Sequence, residues 1–196
     1  MMRQREAVRA GPEWTEAGIR EFSGSPVTRI GDGWMLITAG SVLGPGTGDL
    51  PADRGGWNTM TASWGGLGVL WGVETAFCFI RPCRETFRFA NEASLFSLSF
   101  FDSSHHRALE ICGALSGRDT DKAEAAGLTP VVFEDGAGAG ALGFREAREV
   151  IICQKMYSHD FDPARFILPE EIEQHYPEKD YHRMFAGKIL GLRIRR

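Results

Sequence analysis

The 196-residue chain is long enough for one substantial domain with a buried core that needs no disulfide staples. Hydrophobic residues at 43% and charged residues at 24% exclude the composition of a disordered chain. A formal net charge of −4 gives no global attraction to nucleic acid, so any anion the chain binds must be held by local groups.

The first residues, Met1, Met2, Arg3, Gln4, Arg5 and Glu6, are a mixed polar stretch without the apolar core of a secretory signal, so a cytoplasmic location is expected. Residues 1–29 are read as an N-terminal extension and 30–196 as a single domain. Residues 34–39 are a short apolar run closed by Gly40 and predict a strand; residues 57–64 mix β-formers with hydroxyls and predict another. Between them, residues 44–56 are dense in glycine, proline and aspartate and read as a long loop. The most apolar stretch, 67–80, is broken by Gly68, Gly72 and Glu74 and is shorter than the roughly 20 residues that span a bilayer, so it is expected as buried strand and no membrane partner is expected. Its last part, 75–80, stops at Arg81 and Pro82, where proline cannot donate to a sheet ladder.

Residues 86–93 suit a short helix, and 95–101 return to alternation, with Phe96, Leu98 and Phe100 on a core face and serines on the other. A second helix is expected over 105–115, turning Leu109, Ile111, Cys112 and Leu115 inward, and a third over 122–126; Gly117 and Gly127 follow them as helix C-termini favour. Strands are expected at 129–134, 149–157 and 186–195, with a flexible glycine-alanine turn at 136–140. The helices are too few and too clustered for a doubly wound parallel sheet, so the pattern predicts a mainly β fold, a closed or partly closed barrel with short helices outside. Cys78, Cys83, Cys112 and Cys153 show no CxxC spacing and are expected as reduced thiols.

Three segments could carry chemistry. Along Asn58, Thr59, Met60, Thr61, Ala62, Ser63 and Trp64, strand alternation puts Asn58, Met60, Ala62 and Trp64 on one face and the three hydroxyls on the other. Hydroxyls, and backbone N–H groups freed near Gly65 and Gly66, suit a phosphate or the amide edge of a flavin; the same residues also suit an ordinary half-exposed strand. Arg81, Arg84 and Thr86 gather two guanidinium groups at a helix start, either as a phosphate clamp or as surface residues paired with Glu85 and Glu92. Ser116, Gly117, Arg118, Asp119, Thr120, Asp121 and Lys122 offer a hydroxyl, two cations and a turn, as a plain helix connection also would.

Gly138, Gly140 and Gly143 match GxGxxG, but residues 134–137 separate that run from a strand and no second βαβ pattern follows. His105 and His106 are adjacent on a helix and face different ways, so no metal site is expected.

Taken in order, the three segments resemble the flavin reductase-like family, whose members have the FMN-binding split β-barrel fold, a Greek-key barrel, and the resemblance spans about residues 30–192. It rests on Asn58, Thr61, Ser63 and Trp64; on Arg81, Pro82, Arg84 and Thr86; and on the run from Cys112 to Lys122, with His182 and Gly187 matching a late motif. Lys188 stands where the family usually has an acid, and residues 44–56 and 168–181 depart from its pattern.

The resemblance implies FMN held by Asn58, Thr59, Met60, Thr61, Ala62, Ser63 and Trp64, with Arg81, Arg84, Thr86, Ser116 and Lys122 toward its phosphate. It also implies a homodimer with FMN near the interface. Electrons would pass from NAD(P)H, a transient co-substrate, through FMN to a flavin or other acceptor, or else a flavoredoxin-like carrier would be fed by a redox-protein partner. The chemistry belongs to the cofactor, so no catalytic side chain is expected.

Overall fold

A computed structural model of the chain describes residues 6–41, 56–134 and 140–196; the loop read at 44–56 lies almost wholly outside them, as does most of the 136–140 turn. The first strands, β1 (Val8–Arg9) and β2 (Trp14–Ala17), precede the helix α1 (Pro26–Gly31) and β3 (Met35–Ser41). Then follow β4 (Gly56–Ala62), β5 (Gly65–Leu70), β6 (Val73–Ile80), α2 (Thr86–Glu92), β7 (Leu95–Phe100), α3 (His106–Ala114) and α4 (Lys122–Ala125). The chain closes with β8 (Pro130–Glu134), β9 (Gly140–Phe144), β10 (Glu149–Asp160), α5 (Glu170–His175) and β11 (Arg183–Arg195). The mainly β architecture with short helices is the one expected.

Seven strands form a curled path in the order β4-β3-β7-β10-β11-β6-β5, and β2 adds to β11 as an eighth. The long β11 divides its edge: residues 183–188 pair with β6 and residues 192–195 with β2. Register shifts in β10 between Ile152 and Cys153 and between Lys155 and Tyr157 bend the long β10–β11 pair. A smaller sheet, β1-β8-β9, lies beside the barrel.

Side-chain alternation sorts the strands between two cores. Met35 and Ile37 of β3, Leu98 of β7 and Ile151 and Cys153 of β10 point into the barrel. Their neighbours Leu36, Val150 and Ile152 join Leu109, Val131, Phe133 and Phe144 in the layer under α3 and the small sheet. Both faces are buried, which is why residues 34–39 read as an unbroken apolar run. The serine face of β7 is buried too, and Ser97 Oγ donates to the Leu142 carbonyl.

Four features differ from the sequence reading. Residues 67–80 are a hairpin, not one buried strand: Trp71 and Gly72 both have positive φ (53° and 76°), the turn that matches strand twist, and β5 is exposed enough to leave Val69 71% accessible. Residues 140–144, given no element in the sequence reading, form β9 antiparallel to β8, and the GxGxxG match heads no helix there, as its spacing implied. Leu115, expected inward, caps α3 and is exposed. Residues before 30, read as an extension, join the fold: β1 pairs with β8 and β2 with β11.

Glu149, at the start of β10 and only 3% exposed, anchors that early segment. It accepts from Ser23 N (2.8 Å), Ser23 Oγ (2.9 Å) and Arg29 Nη2 (2.7 Å). Glu149→Ala leaves a part-buried guanidinium without its acceptor and is expected to lower the urea unfolding free energy by about 2–4 kcal/mol at unchanged m-value. A loss under about 0.5 kcal/mol, the size of an ordinary surface substitution, would show that the clamp does not anchor the segment.

Candidate functional site

Where β4 ends, the chain bends through Ser63 and Trp64 into β5, and a cavity of about 280 Å³ opens. Met60, Thr61 and Ala62 line one side with the bend; Phe79, Arg81 and Arg84 come from the end of β6 and the following turn. Gly113 of α3 and His182 complete the wall. A second hollow of about 340 Å³ shares Thr61, Ala62, Ser63 and Gly113 and extends toward Trp34, Leu109 and Glu110. Together they reach the size of small-molecule sites. α3 approaches β4 closely at Gly113, where a Cβ would just touch Thr61 Cβ at 3.4 Å.

The β4 hydroxyls are not the ligand-facing groups that alternation suggested. Thr59 Oγ1 bonds Thr38 Oγ1 (2.9 Å) and donates to the Ile37 carbonyl (3.2 Å), while Thr61 Oγ1 donates to the Leu109 carbonyl. What β4 offers instead is backbone. Among the described residues its only strand partner is β3, and the Thr59 carbonyl, on the opposite edge, takes the Lys122 ammonium at 2.8 Å. Peptide groups two residues apart share an edge, so those of Thr61 also face away from β3.

Sequence-flagged residues fall into three groups. Met60, Thr61, Ala62, Ser63, Trp64, Arg81 and Arg84 line the cavity. Asn58, Thr59, Thr86 and Lys122 are buried beneath it. Asn58 Nδ2 donates to Thr86 Oγ1 at 3.1 Å, and Gly117 packs so closely that a Cβ there would meet Asn58 Oδ1 at 2.3 Å. Ser116 sits on the exposed turn after α3, its Oγ accepting from Arg118 N at 3.2 Å.

Electrostatics separate the two arginines. Arg81 Nη1 donates to Asp180 Oδ1 (2.6 Å) and Nη2 to the His175 carbonyl (2.7 Å), and its guanidinium lies over the Tyr176 ring at 5.1 Å. Arg84 donates to the Gly113 carbonyl and has no carboxylate partner among the described residues; nearby Glu85 is taken by Arg118 and Arg88. Lys122 donates to the Thr59 and Cys112 carbonyls (2.8 and 3.1 Å) and likewise has no carboxylate. Burial, reinforced by the Arg84 charge, pulls the Lys122 ammonium down to about 8. Neither cation has a carboxylate at ion-pair distance among the described residues, Glu85 acting on Lys122 only at longer range, so the pair could receive an anion.

Phe79, Gly113, His175, Tyr176 and Asp180 were not anticipated. The segment 168–181, read only as a departure from the family pattern, forms α5 and the turn behind Arg81, a relation between distant residues that no local pattern carries. His182, only 8% exposed, stacks near Trp64 with ring centroids 4.9 Å apart. Burial first, and then Arg81, push its imidazole down to about 4. Cys83 is exposed at this rim, its thiol donating to Asp180 Oδ2 at 3.6 Å, whereas Cys78, Cys112 and Cys153 are buried. No group of three or more His, Cys, Asp or Glu among the described residues could hold a metal, and none of their helices is long and apolar enough to cross a membrane.

No protein-family model and no curated protein matches the chain. Solved structures do. A flavoredoxin from Methanosarcina acetivorans superposes with a TM-score of 0.57 at 18% identity, over 81% of this chain and 66% of its own. The FMN-binding domain of a flavin reductases-like enzyme from Shewanella baltica OS155 gives 0.59 at 12%, over 93% and 77%. The NADH:FAD oxidoreductase of Streptomyces globisporus C-1027 gives 0.53 at 12%, over 82% and 73%. The chain therefore has the split-barrel fold of flavin reductase-like proteins, and it spans about two thirds of the length of that flavoredoxin.

The lowered Lys122 value has a consequence for stability. Between about 8 and the ordinary lysine value of 10.5 the unfolded chain binds the extra proton, so the cost of burying this ammonium is complete below about pH 8 and fades above it. Relative to Lys122→Met, the protein should gain melting temperature as pH rises from 7 to 9.5, and saturating inorganic phosphate should flatten that difference. A difference independent of pH would place Lys122 in an ordinary solvated setting.

Proposed function

We propose that the chain is an FMN-binding oxidoreductase of the flavin reductase-like type, passing electrons from NAD(P)H through bound FMN to a flavin or another acceptor. The observation that carries the proposal is the Arg84–Lys122 pair, two cations lacking a carboxylate, beside a cavity edged by the free backbone of β4. These residues fit the cofactor: a dianionic phosphate supplies the missing counter-charge, and peptide N–H and C=O groups match the amide edge of a flavin ring.

In this reading Arg84 contacts the phosphate and Lys122 backs it from below. The Thr61 peptide, the Ser63 hydroxyl and Trp64 hold the ring and its chain, and Asn58 and Thr86 brace the turn after α3 that carries Ser116. Arg81 acts indirectly, by fixing the wall that includes His182. FMN held by these residues would supply hydride-accepting redox chemistry. The protein binds, orients and shields it, with no nucleophilic side chain.

A homodimer, with the flavin near the interface, belongs to the same proposal; the exposed Trp71 and Tyr157, 6.3 Å apart by ring centroid, offer an apolar contact for it. So does a cytoplasmic setting. The flavoredoxin-like carrier remains a second reading, favoured by Ile167 (92% exposed) and Leu168 at the end of an aromatic series running from His182 through Tyr176 to Phe166, a surface suited to a redox protein.

Anaerobic mixing of the flavin-loaded protein with NADH or NADPH should bleach the yellow band within seconds. No bleaching, with rapid reduction by a ferredoxin-type donor, would select the carrier. A colourless protein that leaves added FMN fully fluorescent would remove the flavin altogether. Arg84→Ala should weaken FMN by about 1.5–3 kcal/mol, the range for a charged hydrogen bond, and leave riboflavin nearly unchanged. Arg81→Ala should weaken both ligands alike; selective loss of FMN would instead place Arg81 on the phosphate.

A further inference from the structure

Behind the cavity wall, Tyr176 follows α5 and is 3% exposed. Its position is fixed from several sides. Arg81 caps the ring at 5.1 Å while bonding the His175 carbonyl and Asp180 on either side of it in sequence. Tyr181 and Phe166 pack against it with centroids 5.0 and 5.9 Å away. The hydroxyl so placed lies 2.9 Å from His182 Nδ1.

The direction of that hydrogen bond follows from the partners available. A phenol buried to this degree needs an acceptor for its proton. The one acceptor that the described residues offer the phenol proton is Nδ1. Tyr176 therefore donates and Nδ1 accepts, which puts the proton of a neutral imidazole on Nε2. Among the described residues Nε2 has no hydrogen-bond partner, and it is not among the unpartnered polar atoms sealed from solvent. His182 lines the cavity, and Nε2 is its ring nitrogen left free to meet a ligand there.

We infer that Tyr176 is a positioning residue that locks His182 as the Nε2–H tautomer, so that the cavity wall presents one neutral N–H to a carbonyl oxygen of the incoming substrate. The inference rests on the redox reading of this cavity. The groups facing His182 are Arg81 and Asp180 behind it, His175 of α5 and the Trp64 indole across the bend. Burial first, and then the nearby Arg81 charge, keeps the imidazole uncharged, so the donor is present throughout the neutral range. A neutral donor suits a carboxamide or ring carbonyl, and a free imidazole, which samples both tautomers, would offer an acceptor part of the time.

Long-range ¹H–¹⁵N spectra of the uniformly labelled full chain, with the His182 signal assigned by its loss in His182→Asn, read the tautomer directly. The expected result is Nε2–H in the wild type from pH 5.5 to 8 and a mixture of both tautomers in Tyr176→Phe. A wild-type Nδ1–H signal, or a Tyr176→Phe variant that keeps pure Nε2–H, overturns the inference. In flavin reduction by subsaturating NADH, Tyr176→Phe and His182→Asn should each slow the rate by about tenfold, and the double variant should be no slower than His182→Asn. Additive losses would mean that Tyr176 acts by stability alone. If the wild type takes up no flavin, the redox reading fails, and the spectra still decide the tautomer.

Discussion

The constraint on which the molecule depends is that its central strands are buried on both faces. β3, β7 and β10 each send alternate side chains into the barrel and into the outer layer, so the barrel cannot be built without α3, α4 and the small sheet against it. That outer layer brings α3 across the free edge of β4. There the Lys122 ammonium joins the Thr59 carbonyl of the strand to the Cys112 carbonyl of the helix. The cavity is the gap left where this joint ends and β4 turns into β5. A strand edge ordinarily invites another strand; here a helix and a buried cation occupy part of it, and the remaining peptide groups stay available.

Much of the barrel was legible in the sequence, because the period-two pattern and the punctuation by Pro82 and Gly117 are local signals. The failures have identifiable physical sources. The β5–β6 hairpin turns on Trp71, a bulky residue in a left-handed conformation, whereas hairpin turns are usually announced by Asn or Gly at that position. Glu149 looked like an ordinary polar strand start, yet its three donors come from more than a hundred residues away in sequence.

At the candidate site, residues singled out in the sequence meet around one cavity, but individual groups are used differently from what alternation suggested. Alternation separated the faces of β4 but could not show that the Thr59 and Thr61 hydroxyls are consumed by backbone carbonyls. Arg81 and Arg84 look equivalent in sequence. They differ because Asp180, a partner 99 residues away, reaches only Arg81. An electrostatic site is thus defined by which charges are left over, and that is a property of the whole fold.

The cysteines give the barrel a further character. Cys78 and Cys112 are pushed up to about 12 and about 11 by burial, and Cys153 is raised strongly as well. Thiolate is the reactive form, so these three behave as small apolar side chains, inert toward peroxide and disulfide exchange. Cys83 alone is exposed, at the mouth of the cavity and hydrogen-bonded to the carboxylate that restrains Arg81. Thiol chemistry is thereby confined to Cys83, where burial and the Asp180 hydrogen bond also push the thiol up, and a thiol-directed fluorophore would attach at that one position.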